Sequence, residues 1–110
     1  MAYDEELALR LQLLLADEDG LTTKKMFGGL AFLIGGHMTV AASGKGGLMV
    51  RVDPEKSEAL LERPHAERMV MGGRQMAGWL RVGDDGLDTD GELRGWVDEA
   101  LTWVRGLPPQ

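Results

Sequence analysis

The sequence predicts an α+β fold, in which an antiparallel sheet of about five strands carries an N-terminal, a middle and a C-terminal helix. The predicted elements follow the order α-β-β-β-α-β-β-α, without the strand–helix alternation of doubly wound parallel sheets. Glycine-rich segments at 35–36 and 44–47 separate successive strands and are typical of hairpin turns. The chain has 110 residues, of which 44% are hydrophobic, and this is enough for one core.

Capping residues and apolar spacing define the three predicted helices. The first follows Asp4, which can act as an N-cap, and places its leucines on one face. The second begins at Asp53-Pro54 and ends before Pro64, because the residue that precedes a proline avoids helical angles. The third opens with a capping box at 89–92, and its apolar residues then recur at three- and four-residue intervals.

The predicted strands are short apolar segments with alternating polar residues. They cover residues 24–34, 37–42, 48–52, 67–71 and 76–82. Gly28 and Gly29 interrupt the first of them, and glycine weakens a strand interior because it packs nothing. We therefore expect a bulge at this glycine pair, which lets a neighbouring backbone or the Trp79 ring come close.

Domain organisation and location follow from length and composition. Residues 1–106 are predicted to form a single domain, and residues 107–110 a loose tail. No window approaches the roughly 18 apolar residues of a membrane span, and the acidic N-terminus is unlike a secretory or mitochondrial leader. With no cysteine, disulfides and thiol chemistry are excluded. We expect a cytoplasmic protein without membrane contact.

Charge is unevenly distributed along the chain. The net charge of −6 argues against a generic nucleic-acid binder. Residues 24–82 nevertheless carry nine basic and five acidic side chains, so this block is +4 while the two ends together are −10. Such asymmetry can mark a surface that faces an anionic partner, and pairing of basic strands with acidic helices within the fold explains it as well.

The residue types needed for catalysis or metal binding do not form a recognisable pattern. His37 and His65 are too far apart for a helical ligand pair, and His37 is expected to be exposed beside a hairpin turn. The acidic run at 84–88 lacks the spacing of a calcium loop and is interpreted as a turn. Neither Ser43 nor Ser57 lies in a nucleophile elbow. We predict a protein that is not an enzyme, with no catalytic residue, metal or cofactor.

A basic and aromatic group of residues is the candidate site for a partner or an anion. Its members are Lys24, Lys25, Arg51, Arg63, His65, Arg68, Arg74 and Trp79, with Gly28 and Gly29 as a structural motif. Arginines and lysines of such a group can bind phosphate or carboxylate. The structural alternative is that His65 caps a helix end and Trp79 fills the core.

Methionines are concentrated in the predicted sheet, where most of them are expected to fill the core. Met49 and one of Met69 or Met71 are the candidates for exposure, which would suit an adaptable protein-binding surface.

Several separated motifs resemble the TfoX/Sxy N-terminal domain family. They are KMFGGLAF at 25–32, LMVRV at 48–52, RPHA at 63–66, Gly73-Arg74, Met76 and Gly78-Trp79, and the resemblance extends from residue 1 to about residue 104. It implies an α+β fold and supplies no catalytic residues. Full-length members of this family are regulators of natural competence that act with a cyclic-AMP-responsive transcription factor and carry a second, C-terminal domain. This chain resembles the stand-alone single-domain members.

Three functional hypotheses follow. The leading one is a non-enzymatic regulatory or adaptor domain that binds another protein, such as a transcriptional regulator, through the sheet surface and the basic central block. The second is an accessory nucleic-acid-binding module that uses the basic residues on phosphates. The third is a small-anion-binding domain, or an enzyme, centred on His65 and Arg74. An uncovered sheet edge would also permit a homodimer.

Overall fold

A computed structural model describes residues 3–26, 28–71 and 73–108, and for residues 26, 71 and 74–77 the backbone alone. The elements in chain order are α1 (Glu5–Leu15), β1 (Leu21–Met26), β2 (Gly29–Ile34), β3 (His37–Ala42), β4 (Leu48–Arg51), α2 (Ser57–Leu60), β5 (Ala66–Met71), β6 (Arg74–Val82), a 3-10 helix (Asp84–Leu87) and α3 (Asp90–Arg105). Six antiparallel strands form one sheet in the order β1-β2-β3-β4-β6-β5. The predicted α+β class is confirmed.

The predicted caps of the two long helices are present. The Asp4 carboxylate accepts hydrogen bonds from the backbone of Glu6 at 2.9 Å and of Leu7 at 3.2 Å, which satisfies two N–H groups at the start of α1. At the start of α3, Thr89 and Glu92 form the reciprocal capping box. These bonds explain why both helices begin where the sequence predicts.

The middle helix is shorter than predicted. Residues 53–63 were expected to be helical up to Pro64, yet α2 forms a single turn at Ser57–Leu60. The Asp53 carboxylate accepts from the backbone N–H of Glu55, and the Ser57 hydroxyl donates to the Pro54 carbonyl. Asp53 therefore makes a cap-like bond at the predicted helix start, but residues 54–56 form a turn instead of a helix, in which the Lys56 N–H donates to the Asp53 carbonyl at 2.9 Å.

The glycine pair joins two strands, so the sheet has one strand more than the five predicted. Met26 pairs with Gly29 at the end of the β1–β2 ladder, and Gly28 has φ +76° in the turn between them. Phe27 lies outside the described residues. The expected close approach is present at Gly29: a β-carbon there would overlap the Ala42 carbonyl oxygen of β3. The approaching group is therefore backbone and not the Trp79 ring.

The helices pack on one face of the sheet. Alternate residues of the central strands point towards them, and the core contains Leu7, Leu11 and Leu15 of α1, Phe32, Val40, Val50 and Leu80 of the sheet, and Leu93, Trp96, Val97, Leu101 and Val104 of α3. Burial of each large apolar side chain stabilises the fold by about 1.5–3 kcal/mol. Across the described residues, no helix has the length and apolar character needed to cross a membrane.

His37 is buried, although an exposed position was expected. Its side chain is 8% exposed, because ring Nε2 donates to the carbonyl oxygen of Pro108 beyond the end of α3. Ring Nδ1 is buried and has no hydrogen-bond partner among the described residues. The hairpin position that suggested exposure is thus covered by the segment after α3.

Candidate interaction surface on the second face of the sheet

Strand register identifies the residues on the sheet face that points away from the core. Directly opposed residues of neighbouring strands share a face. One row runs across all six strands in the order Lys24, Ala31, Ala41, Met49, Arg81 and Glu67. These residues alternate with core residues such as Phe32 and Val50, so the row lies on the second face of the sheet.

The side chains on the second face are buried on the β2–β3 half of the sheet and accessible on the β4–β6 half. Towards β2 and β3, Ala31 and Ala41 are fully buried although they are not part of the core under the helices. Towards β4 and β6, Met49 and Arg81 are only half-buried. Accessible side chains on this face are therefore concentrated on the β4–β6 pair.

Among the predicted site residues whose side chains the structure describes, Arg51 and Trp79 are brought together. They are opposed partners on β4 and β6, both half-buried, and Met49 opposes Arg81 in the next pair on the same face. The Arg81 guanidinium donates to the Gly46 carbonyl at 2.9 Å, which fixes its position beside Met49. We call Met49, Arg51, Trp79 and Arg81 the Arg51–Trp79 patch.

The two lysines lie at the far edge of the sheet, on opposite faces. Lys24 opposes Ala31 on the second face, and Lys25 opposes Leu30, which packs against the core. Both side chains are exposed. Four strand spacings separate β1 from β6, about 19 Å along the sheet, so neither lysine adjoins Trp79.

Arg68 is held by an ion pair on the opposite edge of the sheet. It opposes Leu80 and forms two contacts of 2.6 Å with the Glu58 carboxylate. The hydrogen bond from Arg68 lowers the pKa of the Glu58 carboxyl below its ordinary value of 4.5, and attraction between the two charges adds to this effect. The guanidinium thus has a partner within the chain.

Arg63 and His65 belong to the contact of the α2–β5 connection with α3 and with the turn after β6. The Arg63 guanidinium lies 4.9 Å from the centre of the Trp96 ring and 3.0 Å from the Glu99 carboxylate. His65 adopts φ +65°, and its carbonyl accepts from the Gly83 N–H at 3.0 Å. The side chain of Arg74 lies outside the described residues.

Sequence reasoning identified two members of the patch as site residues and one as an exposed methionine. Met49, a candidate for exposure, is half-buried, Met69 is buried, and the side chain of Met71 lies outside the described residues. Arg81 is not among the site residues predicted from the sequence. It stands two residues after Trp79 in a predicted strand, so strand alternation would have placed it on the same face.

A metal site is not suggested by the described part of the chain. Within residues 3–26, 28–71 and 73–108, no three side chains of histidine, cysteine, aspartate or glutamate are arranged to hold a metal ion. The Arg51–Trp79 patch is suited instead to binding a partner molecule. Its indole ring and thioether offer apolar surface, and its two guanidinium groups offer hydrogen-bond donors.

Comparison with known proteins identifies the family. No curated protein and no solved structure matches the chain. The model of the TfoX N-terminal domain matches residues 13–103, which include β1 to β6, α2, most of α3 and the Arg51–Trp79 patch. Because this match covers most of the chain and agrees with the motifs found in the sequence, the chain belongs to the TfoX N-terminal domain family.

Proposed function

We propose that this chain is a cytoplasmic, non-enzymatic regulatory or adaptor domain that binds another protein through the Arg51–Trp79 patch. Family membership supports a regulatory, competence-related role. The observation that carries the proposal is the pairing of Arg51 with Trp79 on a sheet face that the helices leave accessible between β4 and β6.

The composition of the patch favours a protein ligand. Tryptophan and arginine are the residues that most often dominate the energy of protein interfaces, and methionine adapts to irregular surfaces. Arg81 is already held by Gly46, so little side-chain freedom is lost when a partner binds. The complementary partner surface carries a carboxylate opposite the guanidinium groups and an apolar side chain opposite Trp79. A transcriptional regulator is the partner class that the family implies.

Site-specific crosslinking tests this proposal. A photoreactive residue replaces Met49 in one protein and Lys56, an exposed residue before α2, in a matched control. We expect a protein adduct from native lysate at position 49 but not at position 56. Arg51→Glu should reduce its yield about tenfold, since loss of a hot spot costs more than about 1 kcal/mol. Adducts of equal yield at both positions, or adducts insensitive to Arg51→Glu, would contradict the proposal.

Binding of nucleic acid is the second candidate, because Lys24, Arg51 and Arg81 share a face with an indole ring. Bases stack on such rings, while basic side chains contact phosphates. In the same experiment, nuclease treatment would abolish an adduct to nucleic acid. Fluorescence anisotropy with single-stranded DNA and RNA would then show affinity that falls steeply with salt, since bound counterions are released. Unchanged adducts after nuclease treatment favour the protein partner.

A further inference from the structure

Helix α1 exposes two leucines on the side that faces away from the core. Leu7 and Leu11 are buried, whereas Leu9 is 57% and Leu13 is 70% exposed. Residues four apart are neighbours on a helix surface, so the two leucines form a continuous apolar strip along two turns. A single exposed leucine is ordinary, but a strip that adjoins a cavity marks a surface for contact.

A cavity of about 360 Å³ lies beside this strip, between α1 and the first turn of α3. Leu13, Leu14 and Leu93 supply its apolar lining, and Arg94 lies on the α3 side. Arg10 holds the two helices together here, because its guanidinium donates to Thr89 O and to Asp90 Oδ1, both at 3.4 Å. The volume is near the lower limit of about 300 Å³ for small-molecule sites and suits one or two inserted side chains.

Acidic residues flank the leucine strip at the same spacing. Glu5, Leu9, Leu13 and Asp17 follow one another at four-residue intervals, all exposed, and Ala16 keeps helical angles at the end of α1. The order along this line is therefore acid, leucine, leucine, acid. Asp90 and the cationic Arg94 also line the cavity, and the Asp90 carboxylate is the ion-pair partner of Arg10, so Glu5 and Asp17 are the acids of this line that face a partner. We call Glu5, Leu9, Leu13 and Asp17 the acidic leucine face.

We propose that the acidic leucine face binds a basic amphipathic helix of a partner protein. Two apolar side chains of that helix, four residues apart, cover Leu9 and Leu13, and one of them enters the cavity. Lysine or arginine one turn to either side lies opposite Glu5 and Asp17. A helix is the fitting occupant because its i, i+4 rows match the spacing of the strip and pack into the groove between two helices.

The acidic residues of α1 argue against a second copy of this chain as the partner of the acidic leucine face. In an antiparallel pair of α1 helices, Glu5 of one copy would face Asp17 of the other, and like charges at this range destabilise the contact. A basic helix converts the same acids into attractive contacts. The acidic leucine face lies on α1, which packs on the core face of the sheet, so this proposal does not depend on the Arg51–Trp79 patch.

Titration of the ¹⁵N-labelled chain with a synthetic peptide tests the proposal. The probe is an amphipathic peptide of leucine and lysine, about 18 residues long so that it can form a helix. A scrambled peptide of the same composition is the control for non-specific attraction. We expect shifts of the backbone resonances of α1 and of residues 89–94 with the amphipathic peptide only. Affinity should fall severalfold between about 50 and about 500 mM salt, because screening weakens the rim charges.

Neutral substitutions on α1 make the test specific. Leu9→Ser/Leu13→Ser should weaken binding at least tenfold, while Gln12→Ser, on an exposed neighbouring position, should change it less than twofold. Because both leucines are exposed, we expect the double variant to fold. An amide spectrum with the dispersion of the wild type checks this. Arg51→Glu should leave peptide binding unchanged, which separates this surface from the one in the proposed function.

Four outcomes would overturn the proposal. They are absence of binding, equal binding of the scrambled peptide, resonance shifts confined to other elements, and binding that survives Leu9→Ser/Leu13→Ser. Sedimentation velocity supplies a further decisive result: if the wild-type chain dimerises and the double variant does not, the occupant is a second copy and not a basic helix.

Discussion

Among single residues, Gly28 and Gly29 show two different physical reasons for glycine at adjacent positions. Gly28 has φ +76°, a conformation that side chains with a β-carbon adopt only with strain. Gly29 has an ordinary backbone conformation, but a β-carbon there would overlap the Ala42 carbonyl oxygen and lie 3.1 Å from the backbone nitrogen of Gly44. Gly28 thus permits the turn, and Gly29 permits β2 to lie against the end of β3.

Alanine substitution should separate these two effects. We expect Gly29→Ala to lower the free energy of unfolding by about 3 kcal/mol, because backbone atoms must move to admit the methyl group. Gly28→Ala should cost only about 1 kcal/mol, the cost of a left-handed conformation, since its nearest contact would be 3.9 Å away. Urea denaturation measures both values. A larger loss for Gly28→Ala than for Gly29→Ala would contradict this assignment.

The Glu58–Arg68 ion pair predicts a contribution to stability that depends on pH. The hydrogen bond from Arg68 lowers the pKa of Glu58 in the folded state. The ion pair therefore stabilises the fold fully above the ordinary pKa of 4.5, and this contribution is lost as the pH falls through the lowered value.

Comparison of the wild type with Glu58→Gln measures this effect. The urea midpoint of the variant should lie below that of the wild type near neutral pH, and the difference should shrink towards zero as the pH falls through the lowered pKa of Glu58. Glu62→Gln, on the same exposed segment, is the control and should show a smaller difference at neutral pH. A Glu58→Gln difference that does not change with pH would exclude the ion pair as its cause.

Among the elements, β1 is an edge strand whose lysines have a structural explanation. Within the described part of the chain it pairs only with β2, which leaves the hydrogen-bonding groups of its outer side available to another strand. Lys24 and Lys25 are exposed on the two faces of this edge. Charged residues, lysine above all, hinder edge-to-edge pairing of sheets. Keeping the chain from self-association is therefore a sufficient reason for two adjacent lysines.

Removal of the Lys24 and Lys25 charges should allow the β1 edges of two molecules to pair. We expect Lys24→Thr/Lys25→Thr to form concentration-dependent dimers or larger species, because threonine favours strands and the unpaired edge loses its charge. Sedimentation velocity detects them. Lys45→Thr/Lys56→Thr removes the same net charge outside the strands and should behave as the wild type does. If both double variants associate equally, net charge and not the edge is responsible.

For the whole molecule, the strand order predicts that the centre of the sheet is the part most resistant to local unfolding. β3 and β4 have a neighbouring strand on each side and contact α3, whereas β1 and β5 form the edges. Amide hydrogen exchange should therefore be slowest in β3, β4 and the buried face of α3. We expect exchange in β1, β5 and the single turn of α2 to be faster by at least about tenfold. Uniform protection across all six strands would contradict this view.

The elements that the sequence predicted well are those with local signals. The capping residues Asp4 and Thr89 mark the starts of α1 and α3 because their bonds join residues two or three apart. The burial of His37 was not predictable, because its partner Pro108 is 71 positions away. The acidic leucine face could have been noticed from Leu9 and Leu13, which fall outside the predicted apolar face of the first helix.

The sequence by itself determined the α+β class, the starts of the long helices and the family, because capping, periodicity and motifs are carried by neighbouring residues. Only the tertiary structure decided which candidate residues meet. Arg51 lies beside Trp79 because β4 pairs with β6 and not with the intervening β5, while Lys24 remains at the far edge. Such non-consecutive pairing depends on burial of the whole core, and no local pattern encodes it.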